Sequence, residues 1–266
     1  MHLFQVGAGS GGMAVLDLVA RDPRVTRVTL VEPDVYAPHN VHRHLFPPAA
    51  VGRLKAELAA EWVRAIRPDV AFAALVADIT DPAREAEFAR RAADCDIGIC
   101  AADNEAAKFA FDALMRAAGK PWTLGEVLSG GIGGWVHRFA PGGACYGCVA
   151  SHLQREVTEQ PTGPPPDYSD PDAAQVQATI PASKASIAVI AGLHALVTME
   201  EPTPDFTSLL FSLAVVPGVF EVAYRPHRLR IPRSPTCLTC GTPAPTPTGD
   251  ALDAAVDDAL ARLGAR

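Results

Sequence analysis

Residues 3–21 of the sequence read LFQVGAGSGGMAVLDLVAR. The apolar run 3–6 predicts a short β-strand, the glycines that follow predict a tight loop, and apolar residues at helical spacing over 12–21 predict an α-helix. A strand that passes through a glycine loop directly into a helix is the first unit of an α/β fold with a parallel sheet.

The alternation of strand and helix continues to residue 118. Further strands are predicted at β-branched or apolar runs, and further helices where apolar residues recur every three or four positions. The predicted strands are 25–31, 70–76 and 96–101, and the predicted helices are 53–67, 83–93 and 105–118. Four βα units in succession predict an α/β fold with a doubly wound, Rossmann-like and mostly parallel sheet.

The pattern changes in the second half of the chain. Strands are predicted at 122–127 and 133–139, and a hairpin at 209–216 and 219–224. The apolar stretch 185–199 predicts a buried helix that is too short to span a bilayer.

We expect one domain over residues 1–241, with a first part at about 1–120 and a second part at about 121–241. The proline-rich, polar segment at about 155–181 predicts a mobile loop within the second part. The remaining residues, 242–266, predict a proline- and threonine-rich linker followed by a short amphipathic helix.

Composition excludes several classes of protein. The 266 residues carry 23 basic and 30 acidic side chains, a net charge of -7, and no basic run, so nucleic acid is not expected as the primary partner. The first residues show no basic segment before an apolar one, and no apolar stretch reaches the 18 residues or so that a membrane span needs. We therefore expect a cytoplasmic protein that does not bind membranes.

The glycine loop has the spacing GxGxxG, formed by Gly7, Gly9 and Gly12. Glycines at these positions let the backbone turn tightly and approach a phosphate, and the start of the following helix favours an anion. Glu32 stands twenty residues after Gly12, at the end of the second predicted strand, where a carboxylate can bind ribose hydroxyls. These features predict a nucleotide site and leave a nicotinamide- or flavin-dependent oxidoreductase as one reading.

The segment after the second strand favours a different nucleotide. It places Asp34, Asn40 and Arg43 just beyond the sheet edge, and Lys55 near the start of the next helix. A dinucleotide has little use for two cations and an amide near its phosphates, whereas a nucleoside triphosphate requires such groups.

Two CxxC pairs predict a metal site. Cys145 and Cys148 form the first pair, and Cys237 and Cys240 form the second. Two such pairs in a chain without an export signal are typical of a structural zinc site with four thiolates. Redox-active thiols are the competing interpretation, for which we would expect a CxxC pair at the start of a helix.

Taken in order, these motifs resemble those of the ThiF/MoeB/HesA adenylyltransferases, which have the fold of ubiquitin-activating enzymes. The shared features are a glycine loop, an acidic pair, an Asn-x-x-Arg stretch, a lysine, an Asp-Asn pair after a later strand, and two CxxC knuckles. Here they are residues 7–12, Glu32 with Asp34, Asn40 with Arg43, Lys55, Asp103 with Asn104, and the two cysteine pairs. The resemblance covers residues 3 to about 241.

The resemblance implies an ATP site. Glu32 would hold the ribose, Asn40 and Arg43 would contact the phosphates, and Lys55 would neutralise charge on the triphosphate. Where relatives have Asp and Gln, this chain has Glu32 and, after Arg43, His44. Many members also have helices before the first strand that deliver an arginine to a partner subunit's ATP. No residue of this sequence matches that arginine, so either another residue replaces it, a partner protein supplies it, or the activity is weak.

The pair Asp103 and Asn104 is implied to belong to the same site, with Asp103 positioning Mg²⁺. An alternative role for Asp103 is to cap the helix predicted from residue 105, since Asp and Asn are both preferred at helix starts. The two roles are compatible.

The resemblance further implies that the substrate is the C-terminal carboxylate of a small ubiquitin-like or sulfur-carrier protein, or of a peptide, and that the protein is a homodimer. The small residues 129–134 would admit a narrow extended tail as an added strand, although a plain hairpin turn explains them equally well. A nonenzymatic subunit that supports an active relative is a further alternative.

Some relatives form a thioester through a cysteine in the crossover loop. Residues 155–181 contain no cysteine, and the remaining two, Cys95 and Cys100, flank a predicted buried strand where thiols are normally inert. We therefore predict adenylation without an enzyme-bound thioester.

Overall fold

The computed structural model describes residues 1–154, 182–201 and 205–241, together with the isolated positions 254, 257, 260 and 261. The loop predicted at 155–181 and most of the predicted linker and tail helix therefore lie outside the described residues.

The first half alternates strands and helices as the sequence predicts, because each apolar run is long enough for one strand and each amphipathic stretch for one helix. In chain order these elements are β1 (His2–Val6), α1 (Ser10–Ala20), β2 (Arg27–Val31), α2 (Lys55–Ile66), β3 (Ala71–Leu75), α3 (Glu85–Asp94), β4 (Ile97–Cys100) and α4 (Glu105–Ala117).

The second half extends the same sheet. Its elements are β5 (Trp122–Val127), β6 (Gly133–Phe139), α5 (Tyr146–Gln154), α6 (Lys184–Met199), β7 (Ser208–Ser212) and β8 (Pro226–Leu229). All strands belong to one eight-stranded sheet with the order β3-β2-β1-β4-β5-β6-β7-β8. The pairs from β3 to β5 are parallel, and those from β5 to β8 are antiparallel.

This order confirms the predicted doubly wound sheet. The chain proceeds outward from β1 to β3, then crosses back so that β4 pairs with the other side of β1, with Val6 opposite Cys100. At such a switch point the loops that leave the two central strands diverge, and the crevice between them is where α/β sheets bind ligands.

Side chains from the two faces of the sheet enter separate cores. Leu3 of β1 packs with residues of α1, α2 and α6, and its neighbour Phe4 packs on the opposite face with α3, α4 and α5. On that face Trp122 stacks on Phe139 with ring centroids 4.1 Å apart, and Phe111 lies edge-on to Trp122. The two cores hold both sets of helices against the central strands.

The prediction of a hairpin at 209–216 and 219–224 is wrong for its second strand. The strand that pairs with β7 is β8, while Val216 and Phe220 make only an isolated bridge. Tyr224 has φ +57°, which ends any extended run, and Val219 is 60% exposed. The chain therefore turns twice before pairing again.

Two helices also differ from the expectation. The sequence did not predict α5, which begins at the first cysteine knuckle. The apolar stretch at 185–199 does form a helix, but α6 is not buried on all sides, because its Val189 and Leu196 side chains are exposed. Leu18 of the adjoining helix α1 is also exposed. Within the described residues, no helix has the length and apolar character needed to cross a membrane.

Candidate functional site

Packing requires two of the three motif glycines and leaves the third open. Gly7 has φ +93°, and a Cβ atom there would lie 2.7 Å from the Ala101 carbonyl oxygen at the end of β4; a Cβ at Gly12 would overlap the Gly7 carbonyl. A Cβ at Gly9 would meet nothing within 4 Å. The space above Gly9 is therefore free for a ligand to approach the backbone.

The glycine loop is held in place by a buried side chain of β1 that the sequence did not reveal. Gln5 is fully buried, and its amide nitrogen donates to the carbonyl oxygens of Gly7 and Gly12 at 2.9 Å each. Gly9 is the N-cap of α1 and contributes no side-chain hydrogen bond to it. The first N–H groups of α1 consequently face the crevice without a capping acceptor, which favours an anion there.

Glu32 is 4% exposed and lies directly beside this loop. One carboxylate oxygen accepts from the Ala8 N–H at 2.5 Å, and the other accepts from the Asp34 N–H at 2.9 Å. Burial raises the pKa of Glu32, while the two backbone hydrogen bonds and the charge of Lys55 oppose this shift. The Glu32 carboxylate is thus held rigidly at the end of β2, the position at which we expect a ribose ligand.

Lys55 is the first residue of α2, and its ammonium contacts Asp34. The Nζ–Oδ2 distance is 2.7 Å, and the backbone N–H of Lys55 also donates to the Asp34 carbonyl oxygen at 2.9 Å. The start of α2 is therefore tied to the chain just beyond β2, on the same side as Glu32.

Asn40 builds the loop that carries Arg43. Its buried side-chain oxygen accepts from the Ala37 N–H at 3.0 Å, and its carbonyl oxygen accepts from the N–H groups of Arg43 and His44. Arg43 is half-buried, and its Nε is buried without a hydrogen-bond partner among the described residues. The structure thus gives Asn40 a structural task in addition to any contact with a ligand.

His44 connects this loop to the glycine loop. Its Nε2 lies 3.0 Å from the Ala8 carbonyl oxygen, and its own carbonyl oxygen accepts from the Lys184 ammonium at 2.9 Å. Burial, with smaller effects from Lys55, Lys184 and Arg43, lowers the pKa of His44 to about 4. The imidazole that contacts the glycine loop is therefore neutral, and the Lys184 ammonium is held at the backbone of the same residue.

Asp103 follows the carboxyl end of β4, two residues beyond the Ala101 that lies next to Gly7, so its backbone is at the same switch point. The helix cap is Asn104, whose side-chain oxygen accepts from the Ala107 N–H at 2.8 Å, and not Asp103. Asp103 is exposed and has no hydrogen bond or ion pair within the described part of the chain. Its carboxylate is available for a ligand, while the Asn104 oxygen is already engaged.

A second charged row, which the sequence did not reveal, runs from α4 into the antiparallel strands. Lys108 donates to Glu105 at 2.8 Å and also to Glu126, whose other oxygen lies 3.4 Å from His137 Nε2. Burial opposes ionisation of Glu126, but His137 and Lys108 outweigh it and lower its pKa to about 2. His137 also bonds Ser208 at 2.8 Å, yet both are fully buried, so this Ser-His-Glu row is structural.

The glycines at 129–134 are explained by close packing. A Cβ at Gly131 would lie 2.7 Å from Ser186 Oγ of α6, and a Cβ at Gly133 would lie 2.6 Å from the Phe211 carbonyl oxygen of β7. The turn therefore needs small residues whether or not a substrate tail passes over it.

The four knuckle cysteines come together as predicted. Their Sγ atoms all lie within 4.8 Å of one another, and three Sγ–Sγ separations are 3.5, 3.6 and 3.7 Å. Tetrahedral zinc with bonds of about 2.3 Å requires separations of about 3.8 Å. Backbone N–H groups of Ser234 and Thr239 each point at a sulfur at 3.4 Å. The first pair does lie at the start of a helix, as expected of redox thiols, but such a pair does not require two further cysteines at this distance, so the donor set and its spacing are consistent with a zinc site.

The other two cysteines are unsuited to nucleophilic chemistry. Cys95 and Cys100 are fully buried, and burial raises the pKa of each thiol to about 12. A thiol that stays protonated in the core is a weak nucleophile.

Comparison with known proteins identifies relatives of both the sequence and the fold. Residues 1–237 match the model of the ThiF family. Ubiquitin-like modifier-activating enzyme 5 of Rattus norvegicus is 24% identical over 169 residues, which is 58% of this chain and 42% of that protein. The chain thus spans less than half the length of this curated relative.

Solved structures of E. coli MccB share the fold. The structure of MccB with ATP superposes with a TM-score of 0.66 at 16% identity, covering 90% of this chain and 66% of MccB. The structure of MccB with MccA-N7isoASN gives a TM-score of 0.65 at 17% identity, covering 91% and 67%. The family match covers the glycine loop, the switch point and the antiparallel strands, and on this basis the chain belongs to the ThiF family.

Proposed function

We propose that this protein is an ATP-dependent adenylyltransferase that activates a C-terminal carboxylate as an acyl-adenylate and releases pyrophosphate. The observation that carries the proposal is the link from the Lys184 ammonium, through His44, to Ala8 of the open glycine loop, on the loop that also carries Arg43. A crevice with several cations, uncapped helix N–H groups and a free acidic side chain suits a metal-bound triphosphate.

The reaction explains why these residue types are needed. A carboxylate oxygen attacks the α-phosphorus, the bond to the β-phosphate oxygen breaks, and pyrophosphate leaves with the electron pair. Two anions must meet, so Arg43 and Lys55 would lower the repulsion, and Glu32 would orient the nucleotide through the ribose hydroxyls. Asp103 would hold Mg²⁺, which when bound neutralises phosphate charge.

We assign zinc to Cys145, Cys148, Cys237 and Cys240, in a structural role. The site joins the start of α5 to the segment after β8, which are 92 residues apart in sequence. Four cysteine ligands leave no open position for a substrate, as is usual in structural zinc sites.

The substrate class is inferred from the relatives. One is a ubiquitin-like modifier-activating enzyme, and MccB has been crystallised with MccA. We therefore propose that the carboxylate belongs to a small ubiquitin-like or sulfur-carrier protein or to a peptide. The six cysteines of the sequence are all in the zinc set or the core, which supports adenylation without an enzyme thioester.

We also propose a homodimer. Leu18, Val189 and Leu196 are exposed on the adjoining helices α1 and α6, and Leu196 is 69% exposed. Large apolar side chains exposed on two helices that pack against each other favour burial against a second copy.

The function is tested by ATP–pyrophosphate exchange in the presence of candidate peptides and carrier proteins. We expect exchange that depends on the acceptor and is lost in Asp103→Ala and Arg43→Ala, with the zinc content and circular dichroism spectrum unchanged. Binding of NAD or a flavin in place of ATP would reject the proposal in favour of an oxidoreductase. Acceptor binding without exchange by the wild type would instead indicate a nonenzymatic subunit.

A further inference from the structure

Lys184 lies at a point where three parts of the site meet. It is the first residue of α6, and the His44 carbonyl oxygen to which it donates is 140 residues away in sequence. Ser186, two positions later, packs against Gly131 at the turn before β6. The first turn of α6 therefore lies between the loop that carries Arg43 and His44 and the antiparallel strands.

The cations here differ in whether they are neutralised. Lys55 is paired with Asp34, but neither Arg43 nor Lys184 has an acidic partner among the residues that the structure describes. Arg43 in addition has a buried Nε without a hydrogen-bond partner there. Buried donors are normally partnered, so an anion with several acceptor oxygens fits this position.

We propose that Lys184 is a further phosphate-binding residue, acting with Arg43 on the β- and γ-phosphates that leave as pyrophosphate. This inference rests on the proposed function. An ammonium has three donors, of which His44 takes one, so two remain for phosphate oxygens. When the bond between the α-phosphorus and the bridging oxygen breaks, that oxygen keeps the electron pair, and the positive charge of Lys184 stabilises the departing anion.

The assignment to the outer phosphates follows from the positions of the other candidate residues of the site. Glu32 and the Lys55–Asp34 pair lie on the β2 side, next to the proposed ribose position. Lys184 is exposed and reaches the site from α6, and His44 connects it to Ala8 of the glycine loop. It is thus well placed for the terminal phosphates and not for the nucleoside.

Binding of ATP and of AMP to the Lys184→Met variant, each with Mg²⁺, tests the assignment by calorimetry. Loss of one charge-assisted contact predicts about 10- to 100-fold weaker binding of ATP. AMP, which lacks the outer phosphates, should bind as it does to the wild type, and Lys184→Arg should recover most of the ATP affinity. Lys120→Met serves as the control, because Lys120 lies two residues before β5, at the amino end of that strand, whereas the crevice lies at the carboxyl ends of the strands.

Three results would overturn the inference. The first is an unchanged ATP affinity in Lys184→Met. The second is an equal loss of affinity for AMP and for ATP in that variant. The third is no recovery of the ATP affinity in Lys184→Arg, although both variants keep the wild-type melting temperature. A wild type that binds ATP and catalyses exchange, combined with any of these, rejects the role of Lys184 and leaves the proposed function standing. A wild type that binds no ATP rejects both.

Discussion

Lys55 and Asp34 form an ion pair of 2.7 Å whose two members are unequally exposed. The lysine side chain is 9% exposed and the aspartate side chain is 60% exposed. Water can therefore hydrate the carboxylate if the ammonium turns to another anion, while the backbone hydrogen bond between the two residues stays in place. The pair can release its cation without loss of the local fold.

Lys55→Met should lower the rate of ATP–pyrophosphate exchange by about 100-fold, because it removes a fixed cation from the developing charge. The free energy of unfolding should change by less than about 1 kcal/mol, since the Asp34 carboxylate that loses its partner is 60% exposed to water and the backbone hydrogen bond remains. The matched control is Arg53→Met, which breaks the nearby pair with Glu61 but leaves the site untouched. An equal loss of exchange in both variants would contradict a specific role for Lys55.

Asp103→Asn and Asn104→Ala should have opposite effects on activity and stability. Asp103 is exposed and unbonded in the described chain, so Asp103→Asn should abolish exchange and leave the melting temperature unchanged. Asn104 caps α4, so Asn104→Ala should cost about 1 kcal/mol in urea unfolding, and Asn104→Ser should recover most of it. Asp103→Asn with wild-type exchange over a range of Mg²⁺ concentrations would show that Asp103 does not hold the metal.

Cys240→Ser should remove bound zinc, measured by inductively coupled plasma mass spectrometry, and lower the melting temperature by about 10 °C or more. The reason is that the four sulfurs join the start of α5 to the segment after β8, 92 residues away in sequence. Cys95→Ala is the control, since Cys95 lies in the core outside the cluster. Full zinc content in Cys240→Ser would mean that the metal site is elsewhere or absent.

Stability should fall between about pH 6.5 and pH 4. Burial lowers the pKa of His194 and of His44 to about 4, so both are neutral in the folded protein when the unfolded chain is already protonated. Protonation then favours the unfolded state, by up to about 1.4 kcal/mol per pH unit for each histidine. Urea unfolding at pH 7.5 and 5.0 should show a smaller loss in His194→Gln than in the wild type. Equal losses would mean that His194 is protonated in the fold.

Leu196→Glu should convert a dimer to a monomer in sedimentation experiments, because a charge in an apolar interface is costly to bury. The melting temperature measured at a dilution where the wild type is monomeric should stay the same, since Leu196 is exposed within one chain. Leu238→Glu is the control, as Leu238 is exposed in the cysteine-rich segment away from α1 and α6. A wild type that is already monomeric at high concentration would reject the dimer.

The parallel half of the fold could be predicted closely because each element has a local signal. The strands are apolar runs, the helices are amphipathic, and glycine marks the first loop. The hairpin after β7 could not be predicted, because its valines resemble a strand in the sequence. In the structure Val215, Val219 and Val222 are exposed, and the nearby Gly218 and Tyr224 both have positive φ. A non-glycine residue in that conformation leaves no mark in the sequence.

The site was predictable only where its residues follow a strand or a motif. Glu32, Lys55 and Asp103 were selected as candidates in this way. Lys184 and Gln5 belong to no motif, and their partners become visible only when α6 and the glycine loop are folded together. Sequence also cannot decide which of two adjacent cap-forming residues caps a helix, and the structure assigns that task to Asn104.

The strand β5 has a parallel neighbour on one edge and an antiparallel neighbour on the other. The division into two parts expected near residue 120 lies between β4 and β5, which are hydrogen-bonded neighbours in one sheet. A fragment ending there would expose the apolar edge of β4 and invite aggregation with other chains. Hybrid proteins that exchange acceptor-side segments between family members should accordingly be joined beyond β5, so that β2, β1 and β4 each keep both of their own neighbours.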